Sequence, residues 1–200
     1  MNREWDTQLL KDLPHQQQLV ASSVEVFACH EDVLAGVLVG SLAGGTGDRV
    51  SDADILFFTR NGFHRQTASY FAAFEAGKAI FYRLIGEHND KACFRKYLFE
   101  DLTSAEIHCA DVAEAISLSQ PCVVLFDKAG VVNSKLTDDP APQHATFPVY
   151  PYGDEGLMWE LLTCMKWLSR GEANAAKQYL KKLAAALPEP EGQEESHDDS

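Results

Sequence analysis

The chain has 200 residues, of which 46% are apolar and 24% charged, which leaves room for one domain of ordinary size or an α/β unit with a helical appendage, and excludes wholesale disorder. Its formal net charge of −13 disfavours a long nucleic-acid partner, which would call for a basic stripe, while leaving room for a local basic pocket. No apolar run approaches the roughly 18 residues that cross a bilayer, so no membrane association is expected.

The opening segment MNREWDTQLL lacks a basic stretch followed by an apolar one, and a cytoplasmic location is the expectation. From Pro14 to His30, Leu19, Val20, Val24, Val26 and Phe27 recur near helical spacing and predict an amphipathic helix. Val33 to Val39, VLAGVLV, reads as a buried strand that stops at Gly40. A Gly/Ser/Thr-rich stretch with room for a loop and a short helix separates it from a second strand, DILFFT, from Asp54 to Thr59. Asn61 and Gly62 mark a turn between Arg60 and His64.

Tyr70, Phe71, Phe74 and Phe81 fall on one side of a helix predicted over Gln66 to Leu84, although Gly77 is a point at which the segment can break into helix and strand. Ala92 to Phe99 and Ser104 to Cys109 read as a hairpin or an adjacent strand pair. A short helix around Val112 to Ile116, a strand from Cys122 to Phe126 and a turn at Asp127 to Gly130 follow. Asp139 to Pro151 is a Pro-rich connector, and Asp154 to Ser169 and Ala173 to Leu187 are two helices joined through Gly171.

From Pro188 onward no aliphatic or aromatic side chain offsets ordering entropy, so residues 188–200 read as a disordered acidic tail. Removing its six carboxylates from the formal −13 leaves −7 for Met1 to Leu187. The organisation is therefore an α/β domain over 1–138, a connector and helical hairpin over 139–187, and the tail. The five cysteines are odd in number and lack a CxxC pair, which suits reduced thiols in the core.

The chemistry concentrates in GSLAGGTGDRVSDADILFFT, from Gly40 to Thr59. Asp52 and Asp54 stand at i and i+2 where a strand begins, so both carboxylates leave the same face, about 7 Å apart along the chain. Two such groups repel unless a proton or a cation intervenes, and hard oxygen donors favour Mg²⁺ or Mn²⁺. Upstream, Ser41 and the glycines Gly44, Gly45 and Gly47 allow the backbone to approach an anion closely and to cradle a triphosphate tail.

A Gly-Ser turn, ten intervening residues and an Asp-x-Asp strand together resemble the signature of the polymerase-β-like nucleotidyltransferase superfamily. VVLFDKAG, from Val123 to Gly130, and the helical segment WELLTCMKWLSRGEANAAKQYL are similar to the bacterial branch that includes aminoglycoside and lincosamide nucleotidyltransferases. The resemblance spans most of Val33 to Leu187, but only its first segment is specific. It implies an α/β (α+β) fold in which a nucleotidyltransferase-type mixed sheet is flanked by helices and followed by a C-terminal helical hairpin or bundle. It places the phosphate-binding pair on Gly40 and Ser41, with Gly45 beside them, and the metal-binding carboxylates on Asp52 and Asp54. Members often carry Ala-Arg-Gly after the Gly-Ser, whereas here Ala43 is followed by Gly44 and Gly45, so a positive charge near the nucleotide is missing or comes from elsewhere.

The family's third acidic residue, which completes metal binding or takes the acceptor's proton, is assigned to Glu106. In SAEIHC, Ser104, Glu106 and His108 share the face opposite Ile107 and Cys109. Asp101 and Asp111 compete for the role from loop positions. His108 is a candidate to assist proton transfer, Glu160 a second candidate base, and Lys166 a candidate to reach the triphosphate. The activity implied is Mg²⁺- or Mn²⁺-dependent transfer of a nucleoside monophosphate from a nucleoside triphosphate, with ATP the expected one, to a hydroxyl of a small-molecule acceptor, releasing pyrophosphate. A homodimer is compatible with it. The alternatives are an antitoxin-type enzyme that nucleotidylates a protein, and an inactive nucleotide-binding module of the same fold.

Overall fold

Helix α1 (Pro14–Phe27) begins on a proline, whose missing N–H is harmless in a first turn. Its buried residues Gln16, Leu19, Val20, Ser23 and Phe27 recur at helical spacing, and Leu19, Val20 and Phe27 supply its apolar stripe. In this computed structural model residues 7–142 and 147–189 are described, and the chain divides into two compact units, Met1–Gln143 and His144–Ser200. No helix among the described residues is long and apolar enough to cross a membrane.

The first unit is built on strands β1 (Val33–Val39), β2 (Asp52–Thr59), β3 (Ile80–Asn89), β4 (Ala92–Phe99), β5 (Ser104–Asp111) and β7 (Val123–Asp127). They form one mixed sheet in the order β3-β4-β5-β2-β1-β7. β2 and β5 run parallel, and every other neighbouring pair is antiparallel. Two short strands, β6 (Leu118–Ser119) and β8 (Leu136–Thr137), pair separately. The fold is thus α+β, a mixed sheet flanked by helices and followed by a C-terminal helical pair.

The two faces of the sheet differ. α1 and α3 (Ala68–Glu75) contribute to the core that covers the face carrying Ile55, Phe57, Tyr97 and Ile107. There Phe27 stacks on Phe57 at 4.7 Å between centroids while Phe71 meets Phe27 edge-on at 5.2 Å. Each buried aromatic of this kind contributes roughly 2 to 3 kcal/mol relative to exposure. The opposite face carries Ala35, Val37, Leu56, Phe58 and Ala110, packed with Leu118 and Val132.

Gln66 to Leu84 does not form one continuous helix; the break at Gly77 into helix and strand, the alternative that the glycine left open, is what occurs. Helix α3 ends at Glu75, Gly77 takes φ +74°, and Ile80 to Asn89 is strand β3. Tyr70, Phe71 and Phe74 remain helical, but Phe81 lies on the strand and is 63% exposed. The reason lies in pairing beyond local spacing. Arg83 on β3 and Arg95 on β4 each place an Nη1 2.7 Å from the Glu75 carboxylate, and Tyr97 donates its hydroxyl to it at 2.9 Å. The chain must reverse after α3 to bring Arg83 back.

The short helix expected around Val112 to Ile116 is absent as well. Val112 donates its N–H to Thr59 O, Ala113 to Asp111 Oδ1 and Ile116 to Glu114 O, so the segment is a chain of turns too brief to propagate a helix. β2 starts two residues earlier than the predicted Asp54, and the strand predicted from Cys122 to Phe126 runs one residue later, as β7. The turn at Asn61–Gly62 is present, both residues having positive φ.

In the second unit, α4 (Gly153–Ser169) and α5 (Ala173–Ala186) are joined by a turn at Arg170–Glu172. Cys164, Ala176 and Tyr179 form its small core with Trp167, whose ring meets Tyr179 edge-on at 5.3 Å. Most of the acidic tail, residues 190–200, and residues 143–146 of the connector lie outside the described residues, as does most of the opening segment.

Burial pushes the Glu75 carboxyl upward, but the hydrogen bonds from Arg95 and Tyr97 and the charges of Arg83 and Arg95 outweigh it, leaving the group below its ordinary value. A carboxylate lowered in the folded state stabilises at pH above its unfolded value and loses that contribution as pH falls through the folded one. Glu75→Gln is therefore expected to lower stability by about 2 kcal/mol at neutral pH. In urea titrations the gap between wild type and variant should close as the pH drops below the ordinary Glu value of 4.5; a gap that is constant with pH would contradict this.

Candidate metal and nucleotide site

Where β1 ends, Gly40 adopts φ +73° and opens the single turn α2 (Gly40–Ala43). An L-residue is strained in that conformation, and a Cβ there would also overlap Asp54 Oδ2, so the glycine gives the carboxylate its space. β1 and β2 are in register at this point, Val39 facing Asp54. The loop beyond α2 is tied down along its length. Gly44 donates to Gly40 O at 3.2 Å, and Thr46 to Ser41 O at 3.1 Å. Asp48 Oδ1 accepts from Val50 N and from Ser51 Oγ, both at 3.0 Å. Buried Gln16 of α1 reaches across to donate to Arg49 O at 2.9 Å. The chain is thereby delivered to Asp52, the first residue of β2.

The parallel register of β2 with β5 then sets Asp52 beside Ser104 and Asp54 beside Glu106. One oxygen from each of Asp52, Asp54 and Glu106 lies within 4.8 Å of the others, and all three residues are half-buried. Glu106 has close partners: Lys96 Nζ of β4 at 3.0 Å and His108 Nε2 at 3.5 Å from its Oε2. Burial pushes its carboxyl up, yet the hydrogen bond from His108 and the charge of Lys96 prevail and hold it at about 2. Glu106 is therefore ionised at neutral pH and is a weak proton acceptor.

A second ring lies behind it. His88 Nε2 and His108 Nδ1 are 3.0 Å apart, and the two imidazoles stack with centroids 5.2 Å apart. Burial, followed by the charges of His108 and Lys96, holds His88 down to about 4, so His88 is neutral at neutral pH.

The residue types fit a hard divalent cation: three oxygen donors converge, and the fully buried Ser104 beside Asp52 has a hydroxyl with no hydrogen-bond partner among the described residues. A coordinated water or a carboxylate reoriented by an ion would satisfy that oxygen.

The structure brings Gly40, Asp52, Asp54, Glu106 and His108 to one corner of the sheet, with Ser41 next to Gly40 in α2. Gly45 has φ +68° and open space where a Cβ would lie. The rival carboxylates are engaged elsewhere. Asp101 accepts from Thr103 N and Oγ1 and pairs with His15 at 3.0 Å, while Asp111 caps the turn at Ala113. Glu160 and Lys166 lie in the second unit and are buried, Glu160 accepting from the Tyr179 hydroxyl and Lys166 placing its ammonium 5.2 Å from the centre of the Trp159 ring. Lys96 and His88 were not anticipated, and Ser104 was placed on the face of Glu106 without a role. For Lys96 the signal was alternation in ACFRKYLF, which sets Phe94, Lys96 and Leu98 on one face, but its significance needs the pairing with Glu106.

Comparing two glycines isolates the contact with Asp54. Gly40→Ala and Gly45→Ala both carry the left-handed penalty of about 1 kcal/mol, but only the first meets a carboxylate. Thermal denaturation is expected to show the Gly40 variant less stable than the Gly45 variant by a further 1 kcal/mol or so; equal melting temperatures would mean that Asp54 does not press on Gly40.

No protein-family model matches the sequence, and no curated protein matches it either. Among solved structures, an aminoglycoside 6-adenyltransferase from Bacillus subtilis aligns over 82% of this chain with 15% identity and a TM-score of 0.35. The alignment spans 60% of that protein's chain.

Proposed function

We propose that this chain is a nucleotidyltransferase that moves a nucleoside monophosphate from a nucleoside triphosphate, with ATP as the donor, to a hydroxyl of a small acceptor. The observation that carries the reading is the convergence of Asp52, Asp54 and Glu106 beside the Gly40–Ser41 turn. The resemblance of Gly40 to Thr59 to the nucleotidyltransferase signature points the same way.

Asp52, Asp54 and Glu106 would hold Mg²⁺ or Mn²⁺, which when bound supplies positive charge against the phosphate oxygens. Gly40 and Ser41 would meet the triphosphate tail, the glycine leaving the backbone open to close approach. The acceptor oxygen forms its bond to the α-phosphorus as the bond to pyrophosphate breaks, and the hydroxyl proton leaves to a nearby base or to solvent. Because Lys96 and His108 already occupy Glu106, the ligand role suits this carboxylate better than that of base. An acidic body with a net charge of −7 favours a small acceptor bearing amines, such as an aminoglycoside or lincosamide, over a polyanion.

The same Lys96–Glu106 pair favours a second reading. A carboxylate neutralised from within the fold suits a module that binds nucleotide without turning it over. Calorimetric titration separates the two: an enzyme's affinity for ATP should depend on Mg²⁺, whereas a module's need not.

Asp54→Ala is expected to cut pyrophosphate release from ATP, in a screen of antibiotics, sugars and cell extract as acceptors, by about 10³-fold or more. Without added metal the variant should melt no lower than wild type, since it removes a like charge from the cluster. Undiminished release from the folded variant would overturn the assignment.

A further inference from the structure

The face of the sheet opposite the carboxylates holds a different pair. Cys93 of β4 and Cys109 of β5 are direct partners in the antiparallel register. In the same register, Asp111 donates its N–H to Lys91 O at 2.8 Å and Phe99 donates to Thr103 O at 2.9 Å. Hydrogen-bonded pairs recur at every second residue of such a ladder, so Cys93 and Cys109 also form one, and their Cα atoms are about 5.5 Å apart. That separation falls within the roughly 4.4 to 6.8 Å range of Cα distances in disulfides, although the side chains of a hydrogen-bonded pair stand further apart than those of a non-hydrogen-bonded one, so closure draws the two strands together locally.

The two sulfurs have unequal surroundings. Cys109 is fully buried, and burial pushes its thiol up. Cys93 is half-buried beneath the Phe63–Arg65 turn, 3.1 Å from His64 O and 3.7 Å from Thr67 Oγ1. The hydrogen bond from Cys109 favours its thiolate; burial opposes this, but Thr67 and Arg95 add to the lowering, and the thiol is held down to about 7. One sulfur is thus set up as a nucleophile and the other as its resolving partner. Cys29 is exposed, Cys122 is half-buried and Cys164 belongs to the second unit, and none of them has a cysteine opposite it in a strand register.

We propose that Cys93 and Cys109 are an oxidisable dithiol that reacts with a hydroperoxide to close a disulfide between β4 and β5. Cys93 sulfur attacks the terminal peroxide oxygen, the O–O bond breaks, and water or an alcohol departs, leaving a sulfenic acid. Cys109 sulfur then attacks Cys93 sulfur, forming the S–S bond as the S–O bond breaks, and the hydroxide leaves as water with the thiol proton. Two electrons pass from the thiols to the peroxide. The cross-link lies three residues from Lys96 on one strand and from Glu106 on the other, so it constrains the strand pair that carries their ion pair.

Full-length protein carrying Cys29→Ser, which removes the exposed thiol, is treated with hydrogen peroxide and then with iodoacetamide after unfolding. Before alkylation the intact mass should fall by two hydrogens; after it Cys122 and Cys164 should carry the alkyl label while Cys93 and Cys109 do not, and a non-reducing peptide map should join the Cys93 and Cys109 peptides. Adding Cys109→Ser should abolish the cross-link and leave a dimedone-reactive sulfenic acid at Cys93; should that variant fail to fold, Cys93→Ser should equally abolish the loss of mass. If both cysteines remain alkylatable after oxidation, or if Cys93 accumulates as sulfenic acid while Cys109 is intact, the proposal is wrong.

Discussion

Three carboxylates within 4.8 Å of one another are the constraint around which this corner of the molecule is organised. Like charges at such distances oppose folding by an amount on the order of a few kcal/mol for each close pair at the effective dielectric of a partly buried site. The convergence persists because backbone register enforces it. Parallel pairing of β2 with β5 fixes Asp54 beside Glu106, and a shift by one residue would turn every apolar side chain of β2 to the wrong face. Ile55 and Phe57, buried with Phe27, thus hold Asp52 and Asp54 in place from the other side of the sheet.

The division of labour between the faces follows. The helix-covered face, lined by Ile55, Phe57, Tyr97 and Ile107 and packed with Phe27 and Phe71, supplies hydrophobic stabilisation. The opposite face turns polar toward the start of β2, where Ser104, Glu106 and His108 alternate with Ala105, Ile107 and Cys109. Lys96 offsets one negative charge of the three, and the remaining excess is what a proposed cation would neutralise.

Much of this was legible locally. VLAGVLV reads as a buried strand because both faces of β1 are covered, and the alternation of SAEIHC suffices to set Glu106 on the face opposite Ile107 and Cys109, while its meeting with Asp52 and Asp54 needs the register of β2 with β5. What failed was decided at long range. The aromatic spacing from Tyr70 to Phe81 is helical on paper, yet Glu75 gains two arginines only if the chain turns back at Gly77. β6 and β8 are two residues each and leave no periodicity to detect. Glu160 reads as a candidate base on its own helix, and only the neighbouring helix, through Tyr179, reveals that it is buried against a hydroxyl. Lys96 could be placed on a face by alternation but not given a role, since a lysine in a strand gains meaning only once its partner strand is known.

The Lys96–Glu106 pair also bears on which ion the proposed site would accept. A lysine ammonium 3.0 Å from Glu106 already supplies a single positive charge, so a monovalent cation arriving at the cluster would replace like with like and lose its hydration for little gain. A small divalent cation brings twice the charge and draws on oxygens of Asp52 and Asp54 as well. It can share Glu106 with Lys96, because a carboxylate has lone pairs enough for both. Ser104, buried beside Asp52, then stands where a metal-bound water would need an acceptor or a turned carboxylate oxygen a donor. Charge, donor hardness and the orphaned hydroxyl therefore select for the same kind of ion.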